Sequence, residues 1–444
     1  MLKNQVAVFS QEPRFFDQLS AWLDFLENAH PIGIDMGLTR IKQVAQVLQL
    51  QFSCPVITVA GTNGKGSTCA FLEAIFSEAG YKVGCHTSPH FIDFNERARI
   101  GRTPVLDSEL LLHFRAVEVA RASLPELVSL TYFEFTTLAI MHLFATSGLD
   151  VVILEVGLGG RLDAVNIVDA DCAIITSIDL DHTALLGDTR EQIALEKAGI
   201  MRAQKIAICS DPRAPDSLVE YAHQIGADLW LHGRDFNYSG DVMQWAWSGR
   251  GRRVNGLAYP ALRGANQLLN ASGVIAALMS LREILPVGVQ AIRNGFALVD
   301  LPGRFQVLAG QPTIVLDVAH NPHAASALAA SLDKMGYFPF THAIFGVMSD
   351  KDIAGVIRPL LGVVDYWHCV EFDLARSAKA SDLEKTLLTM GVKNTDESGV
   401  DCFETTALAY QKTLEDAGQN DRILVFGSFL TVSAVLSLRR LQKH

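Results

Sequence analysis

The stretch VITVAGTNGKGST, residues 56–68, decides the fold of this chain. Its apolar first half predicts a buried β-strand, its glycines predict a tight turn, and the following CAFLEAIFSEAG predicts a helix. Such a loop suits phosphate, because glycines let backbone N–H groups approach the oxygens while Lys65 and the helix N-terminus supply positive charge. A hydroxyl in the loop can also reach Mg²⁺. The usual Walker pattern is altered, since Val59 replaces its first glycine and Gly66 follows the lysine.

Two interpretations of this loop are open. It is either a strand–turn–helix joint that needs glycine only for tightness, or a binding loop for the phosphates of a nucleotide. The lysine and the two hydroxyls favour nucleotide binding. The residues concerned are Gly61, Thr62, Asn63, Gly64, Lys65, Gly66 and Ser67.

Apolar strand-like runs alternate with helical patterns on both sides of this loop, which is typical of α/β layering around a mostly parallel sheet. The predicted strands are residues 55–60, 82–86, 150–155, 172–178 and 205–210, and later 313–318, 342–347, 365–370 and 422–426. Residues 235–260 are aromatic, glycine-rich and polar, as in short antiparallel strands. The motif VDLPG, residues 299–303, suggests a boundary. We therefore expect an N-terminal P-loop ATPase-like domain with a parallel sheet and a small antiparallel appendage, residues 1–300, and a C-terminal Rossmann-like α/β domain, residues 301–444.

Composition narrows the class of partner. The 444 residues include 37 Lys and Arg against 48 Asp and Glu, a net charge of −11 without basic blocks. This balance disfavours duplex nucleic acid and anionic membranes as partners, but not a small anionic substrate. The seven scattered cysteines form no C-x-x-C pair and indicate reduced thiols. With no signal-like N-terminus and no long apolar run, we expect a cytoplasmic protein.

Polar residues follow several predicted strands, where parallel sheets build their sites. Glu155 closes VVILE, Ser88 follows residues 82–86, and Asp179, Asp181 and His182 follow residues 172–178. Each has a structural alternative: a solvated rim carboxylate, a turn serine, or a polar loop without a ligand.

Two further features give weaker signals. The turn GLGG, residues 157–160, fails the dinucleotide pattern G-x-G-x-x-G because Leu162 takes the last glycine position, so an NAD site is disfavoured. Lys197 lies late in a predicted helix, where a lysine is ordinarily a solvated charge.

Seven motifs occur in a fixed order along the chain: GTNGKGS, TSPH, LEVGLGGRLDAVN, SIDLDHTALLGDT, EKAGI, LPGRFQ and DVAHNPHA. In this order the sequence resembles the folylpolyglutamate synthases, relatives of the Mur ligases, and most closely their bifunctional bacterial branch, which also makes dihydrofolate. The resemblance covers nearly the whole chain. The altered phosphate loop is the form that this family uses.

The resemblance implies an ATP-dependent ligase. ATP phosphorylates the carboxylate of dihydropteroate or of the terminal γ-glutamate of a reduced folate, and the amine of L-glutamate attacks the acyl phosphate. Magnesium neutralises the charge that this chemistry brings together. A monomer is the state that the family implies.

The resemblance also implies roles for individual residues. The catalytic residues are Lys65, His182 and Lys197, and the ATP contacts are residues 61–67 with Asn270, Arg304 and Asp317. Ser88 and Glu155 bind one Mg²⁺, while Glu155, His182 and an N6-carboxylated Lys197 bind a second. The pterin contacts are Ile34, Asp35, Met36, Thr131, Tyr132, Phe133, Glu134 and Leu162.

Some roles stay open at this point. His320 either contacts the nucleotide or belongs to a helix start, His323 is assigned a structural role, and GSF, residues 427–429, is a candidate site for a glutamate carboxylate. Leu430 departs from the family pattern, which has histidine there, so no role carries over to it. Trp245 and Trp247 are expected to pack rather than stack on a base. Two alternatives remain: folylpolyglutamate synthase activity alone, and a P-loop switch that hydrolyses ATP without ligation, against which the second-domain motifs argue.

Overall fold

The first sheet is built around the strand that precedes the phosphate loop. The computed structural model describes residues 9–240 and 243–441. Eight strands pair in the order β4-β3-β2-β5-β1-β6-β7-β8, parallel from β2 to β8, with β3 and β4 as an antiparallel edge. Their bounds are β1 Val56–Ala60, β2 Val83–His86, β3 Ala98–Ile100, β4 Thr103–Pro104, β5 Val151–Glu155, β6 Cys172–Ile175, β7 Ile206–Cys209 and β8 Asp228–Leu231.

Helices cover both faces of this sheet, which is why its central strands are continuous apolar runs. One face packs against α1, α2, α4, α5, α7 and α8, and the other against α3, α9 and α10. The helices are α1 Leu19–Ala29, α2 Thr39–Val47, α3 Lys65–Glu78, α4 Asp107–Ala122, α5 Tyr132–Thr146, α6 Thr183–Leu186, α7 Arg190–Ala198, α8 Asp216–Ile225, α9 Gln267–Ser280 and α10 Val289–Leu298.

A small antiparallel sheet lies beside α9 and α10, as the composition of residues 235–260 predicts. Its strands β9 Phe236–Gly240, β10 Gln244–Gly249 and β11 Arg252–Ala258 pair in the order β11-β10-β9. Trp245 and Trp247 are each 1% exposed and belong to the core shared with α3. The expectation that both pack is confirmed.

The second sheet has the order β12-β13-β17-β14-β15-β16, with β12 antiparallel to β13 and the rest parallel. Apolar clusters fill both of its faces. Its elements are β12 Gln306–Leu308, β13 Thr313–Leu316, α11 Pro322–Leu332, β14 Thr341–Phe345, α12 Ile353–Ile357, β15 Tyr366–Val370, α13 Ala380–Thr389, β16 Gly399–Phe403, α14 Thr406–Asp416, β17 Arg422–Phe426 and α15 Phe429–Leu441.

The predicted α/β class, with a mostly parallel N-terminal sheet and a second C-terminal sheet, is confirmed. One predicted strand, residues 172–178, is too long, because β6 ends at Ile175. Beyond it, the Ser177 carbonyl accepts the Thr62 N–H at 2.7 Å and the Ile178 N–H donates to Asp211 at 2.7 Å, so the chain leaves the ladder to support the phosphate loop. All seven cysteines are free.

None of the helices in the described part of the chain combines the length and apolar composition needed to cross a bilayer.

Candidate active site

A cavity of about 1060 Å³ lies between the two sheets, at the carboxyl ends of strands from both. Its wall contains the phosphate loop, Ser88, Glu155, His182 and Lys197 from the first half of the chain. The second half contributes loops that follow β13, β14 and β17. Sites of open α/β sheets form at this end of the strands.

Two glycines shape the phosphate loop. Gly61 has φ 152° and a Cβ there would lie 1.7 Å from Thr176 Oγ1, while Gly64 has φ 92° and a Cβ would lie 2.5 Å from Asn270 Oδ1. The Lys65 ammonium donates to the carbonyls of Gly61 at 2.9 Å and Thr62 at 3.3 Å, across the loop. Burial lowers the pKa of Lys65, and the carboxylates of Glu155 and Asp181 oppose that shift. The loop thus has the close backbone and the cation that a polyphosphate requires.

Glu155 ends β5 inside the cavity and is not a solvated rim residue, since only 4% of it is exposed. Burial raises the pKa of its carboxyl, against the opposing effects of Lys65 and of the Ser88 N–H, which donates to Oε2 at 3.1 Å. The carboxylate and the Ser88 residue are therefore in direct contact. A carboxylate oxygen beside a hydroxyl-bearing residue is a donor set that suits Mg²⁺.

Lys197 is 3% exposed, which corrects the alternative of a solvated charge. Burial and then the charge of Lys65 lower its pKa to about 7, while Asp181 and Asp163 act in the opposite direction. A neutral amine is what reacts with carbon dioxide, so this environment suits N6-carboxylation.

The second glycine-rich turn explains how Lys197 is placed. A Cβ on Gly160 would lie 2.8 Å from the Glu196 carbonyl and 3.1 Å from Lys197 Cα, so only glycine lets the turn approach α7 this closely. The Arg161 N–H donates to the same carbonyl at 2.7 Å. Gly160 therefore allows the turn to pack closely on α7, the helix that carries Lys197.

A set of side chains that we call the Asp181 cluster joins the two halves of the site. The Asp181 carboxylate lies 2.5 Å from Lys351 Nζ, 3.4 Å from His320 Nε2 and 3.4 Å from Asn321 Nδ2. His182 follows with φ 50°, and its Nε2 lies 3.3 Å from Lys351 Nζ. Burial raises the pKa of the Asp181 carboxyl, but His320, Lys351 and His182 outweigh it and hold that pKa well below its usual range. Burial lowers the pKa of His182 to about 4. His182 is thus a neutral imidazole at ordinary pH, the form that binds metals.

The predicted nucleotide contacts from the second half line the same cavity. Arg304 lies with its guanidinium carbon 5.0 Å from the centre of the Phe429 ring. Asp317 accepts the N–H groups of Phe305 and Ala319, both at 2.8 Å. Asn270 donates to Gln267 at 3.2 Å, and Gln267 donates to Ser67 Oγ at 3.2 Å. The two predicted sets of ATP residues therefore meet at one place.

Two histidines and the residues after β17 also lie in this wall. His323 Nδ1 and Asn321 Oδ1 lie 3.0 and 3.1 Å from Asn63 Nδ2, so α11 begins against the phosphate loop. Asn321 caps α11 by accepting the Ala324 N–H, and His320 contacts Asp181 instead of acting in the cap. Gly427, Ser428, Phe429 and Leu430 line the cavity where α15 begins.

The predicted pterin residues do not line this cavity, but they lie next to the glycine-rich turn that does. Thr131 caps α5 by accepting the Glu134 N–H at 3.1 Å. Arg40 joins Asp35 at 2.7 Å and Glu134 at 3.1 Å, so the two predicted segments meet through one arginine.

Two contacts link these segments to the glycine-rich turn. A Cβ on Gly157 would lie 2.6 Å from the Phe133 ring, and one on Gly159 would lie 3.9 Å from Met36 Cε. Leu162 is half-buried, and Ile34 is 43% exposed. Tyr132 opens α5.

Lys351 and Arg97 are among the cavity residues that the sequence reasoning missed. Lys351 follows β14, so the rule that sites lie at the carboxyl ends of parallel strands was a usable signal. Arg97 precedes the short edge strand β3, which no pattern predicted.

In the described residues no group of three or more His, Cys, Asp and Glu side chains lies close enough to hold a metal by itself. The predicted metal residues are not excluded by this result, because two of the four, Ser88 and Lys197, are residue types outside that group, and Lys197 is expected to bind metal only in its predicted N6-carboxylated form. Glu155 and His182 supply the carboxylate and the neutral imidazole.

Comparison with known proteins agrees with this geometry. Residues 59–277 match the Mur ligase middle domain, and residues 303–429 match the Mur ligase glutamate ligase domain. The fold and site therefore define an ATP-dependent ligase of the Mur ligase class.

The relatives narrow the class. The chain is 42% identical over 432 residues to dihydrofolate synthase/folylpolyglutamate synthase from Escherichia coli, covering 97% of this chain and 98% of the relative. It belongs to the dihydrofolate synthase/folylpolyglutamate synthase family. A solved structure of E. coli FolC in complex with DHPP and ADP is 41% identical, with TM-score 0.90 and coverage of 98% of this chain and all of that one. A bifunctional folylpolyglutamate synthase/dihydrofolate synthase with Mn, AMPPNP and L-glutamate bound has TM-score 0.87 at 41% identity, covering 97% and 100%.

Proposed function

We propose that this chain adds L-glutamate to dihydropteroate, forming dihydrofolate, and to reduced folates, forming polyglutamates, with ATP as co-substrate. The observation that carries this proposal is the cavity of about 1060 Å³ in which the phosphate loop, the buried Glu155 and Lys197, and the loops of the second sheet meet. The names of its relatives support both activities, and relatives have been solved with ADP, AMPPNP and L-glutamate.

The reaction needs an activated carboxylate. Transfer of the ATP γ-phosphoryl group to the acceptor carboxylate gives an acyl phosphate and ADP. The neutral amine of glutamate then attacks the acyl carbon, and inorganic phosphate leaves. The first step brings anions together, so we assign to Lys65, the N–H groups of residues 61–67 and Arg304 the task of holding the phosphates in line.

Divalent metal belongs to this proposal, since a relative contains Mn with AMPPNP. We assign Ser88 and Glu155 to one Mg²⁺, and Glu155, His182 and N6-carboxylated Lys197 to a second. Metal bound there supplies Lewis-acid neutralisation of the reacting phosphate and carboxylate. Support comes from the contact of the Ser88 N–H with Glu155 and from the pKa of about 7 at Lys197, which leaves an amine able to form the carbamate.

Pterin binding is assigned to residues 34–36, 131–134 and Leu162, next to the glycine-rich turn. Asn270 and Asp317 are assigned to the nucleotide, and GSF at residues 427–429 to a carboxylate of L-glutamate. The proposed division into domains at residues 300 and 301 puts the nucleotide between them. The separate apolar cores, one including Val299 and the next beginning with Phe305, support a boundary close to this position.

We also propose a cytoplasmic monomer whose partners are these small molecules and neither nucleic acid nor a membrane. The net charge of −11 supports the absence of nucleic acid and anionic membranes as partners, and the seven free cysteines support the cytoplasmic location.

The test incubates the purified full chain with ATP, Mg²⁺, L-glutamate and either dihydropteroate or tetrahydrofolate, and reads product masses. We expect a glutamate adduct of each acceptor. An adduct of tetrahydrofolate alone would leave folylpolyglutamate synthase as the sole activity. Release of phosphate that neither acceptor changes would instead identify an ATPase switch.

A further inference from the structure

Arg97 is a cavity residue whose guanidinium is only partly used by the protein. It ends the 3-10 turn Phe94–Arg97, and its Nε donates to His90 Nδ1 at 2.8 Å. Across residues 9–240 and 243–441, neither terminal nitrogen of Arg97 has a hydrogen-bond or carboxylate partner. Those nitrogens are also not sealed away from solvent, so they can reach the cavity that Arg97 lines.

The neighbouring carboxylates are already engaged. Glu96 accepts the N–H groups of Phe91, Ile92 and Asp93 at 2.7, 2.8 and 2.9 Å. Arg99, two residues further on, shows the contrasting arrangement, because Glu73 accepts from its Nε and Nη2 at 2.8 to 3.2 Å. Arg99 therefore forms a structural ion pair with Glu73, whereas the two terminal nitrogens of Arg97 are available to bind a ligand.

The guanidinium group of Arg97, with its two unpaired terminal nitrogens, is also held in position by aromatic rings. The guanidinium carbon of Arg97 lies 5.5 Å from the centre of the Phe94 ring and 5.6 Å from that of Tyr132. Burial lowers the pKa of Arg97, the direction expected for a cation without a paired carboxylate. A positioned arginine fork matches a carboxylate, which it binds through two parallel hydrogen bonds.

The position of Arg97 indicates which carboxylate of the acceptor it binds. His90, its partner, lies two residues after Ser88 on the metal side, and Tyr132 lies on the proposed pterin side. A ligand group here would belong to the part of the acceptor between the pterin and the reacting carboxyl.

The two acceptors differ in that part. Dihydropteroate has one carboxylate, and it is the one that reacts. A folate ends in glutamate, whose γ-carboxylate reacts while its α-carboxylate stays anionic throughout. We propose that Arg97 binds the α-carboxylate of the terminal glutamate of a folate acceptor, and so serves polyglutamate synthesis and not dihydrofolate synthesis. This inference rests on the proposed function.

The test compares both acceptors in Arg97→Gln and Arg97→Lys. Loss of a charge-assisted pair raises the KM for tetrahydrofolate by about 10- to 100-fold in Arg97→Gln, with part of the affinity kept by the lysine charge. The KM for dihydropteroate is expected to change by less than about threefold, since that acceptor has no second carboxylate to lose contact with. Arg115→Gln removes an arginine that pairs with Asp17 outside the cavity wall, and it should leave both values unchanged.

A second measurement uses tetrahydrofolate with its α-carboxylate converted to the amide. The unmodified enzyme should bind this acceptor as weakly as Arg97→Gln binds tetrahydrofolate, and combining the two changes should give no further loss.

If the losses of affinity multiply when Arg97→Gln is combined with the α-amide acceptor, the inference is overturned. An equal rise in KM for both acceptors, or no rise for either, would also overturn it. Each of these results leaves the proposed function intact. Failure of the unmodified chain to ligate either acceptor would instead remove the proposed function itself.

Discussion

The phosphate loop and the Asp181 cluster line the same cavity, but backbone geometry makes the first and side-chain convergence makes the second. Gly61 and Gly64 lie only three residues apart in the sequence, and their positive φ angles give the loop its tight turn. Asp181 meets Lys351, 170 residues away, and the contact exists only once both sheets have formed. The first arrangement can be recognised in a short segment of sequence, and the second only in the folded protein.

The largest effect is expected at Lys197, which belongs neither to the phosphate loop nor to the Asp181 cluster. We expect Lys197→Ala to lower the rate of ligation by about 10³-fold, the scale of losing an electrostatic element of a reaction site. Short carboxylic acids should restore part of the rate, because they replace the carbamate oxygens. Full activity in Lys197→Ala would refute the proposed role. An intact thermal transition is the control that the variant folds.

Gly64→Ala tests the backbone side of the comparison. A Cβ at Gly64 would lie 2.5 Å from Asn270 Oδ1, so the loop must shift, and a shift of this size should raise the KM for ATP by about 10- to 100-fold. Gly80→Ala is a matched control, since Gly80 has φ 89° and open space around it. That variant should lose about 1–2 kcal/mol of stability from backbone strain while the KM for ATP stays the same. Equal KM values in the two variants would contradict a phosphate role.

Asp181→Asn and Lys351→Met test the side-chain cluster. Each should lower kcat/KM by about 10-fold, and the double variant should lose little more, because one contact is removed in all three. The exposed ion pair between Asp93 and Arg440, at 2.7 Å and with more than half of each side chain exposed, is the control. Removing it should change kcat/KM by less than about threefold. Fully multiplicative losses at Asp181 and Lys351 would show that they act independently.

The smallest effect is a pH dependence of activation. With a pKa of about 7, the Lys197 amine is roughly three-quarters neutral at pH 7.5 and one-quarter neutral at pH 6.5. Only the neutral form takes up carbon dioxide, so at a fixed concentration of dissolved carbon dioxide the initial rate of activation should rise about threefold across this interval and level off at higher pH. A rate that fell with rising pH would contradict a lysine whose neutral form is the reactive one.

Much of the fold was accessible from sequence because both faces of each sheet are covered. Strands such as Val56–Ala60 and Val151–Glu155 are therefore buried along their whole length and are nearly continuous apolar runs. The helices Leu19–Ala29 and Thr39–Val47 and the edge strands Ala98–Ile100 and Gln306–Leu308 were missed. Short edge strands carry little periodicity, and residues before the first strand offer no sheet pattern to anchor them.

The site divides in the same way. Lys65 could be assigned from its loop, and Glu155 could be placed at the end of a strand. The burial of Lys197 could not be found from its helix, because it results from the close approach of Gly160. The free fork of Arg97 depends on Glu96 being engaged elsewhere, and no local pattern records that contact.

The most direct measurement follows oxygen through the reaction. Dihydropteroate labelled with ¹⁸O in its carboxylate is incubated with the chain, ATP, Mg²⁺ and L-glutamate, and the masses of dihydrofolate and inorganic phosphate are read. An acyl phosphate transfers one labelled oxygen to phosphate for each amide formed, and this is the result that our account predicts. Dihydrofolate formed together with unlabelled phosphate would contradict it.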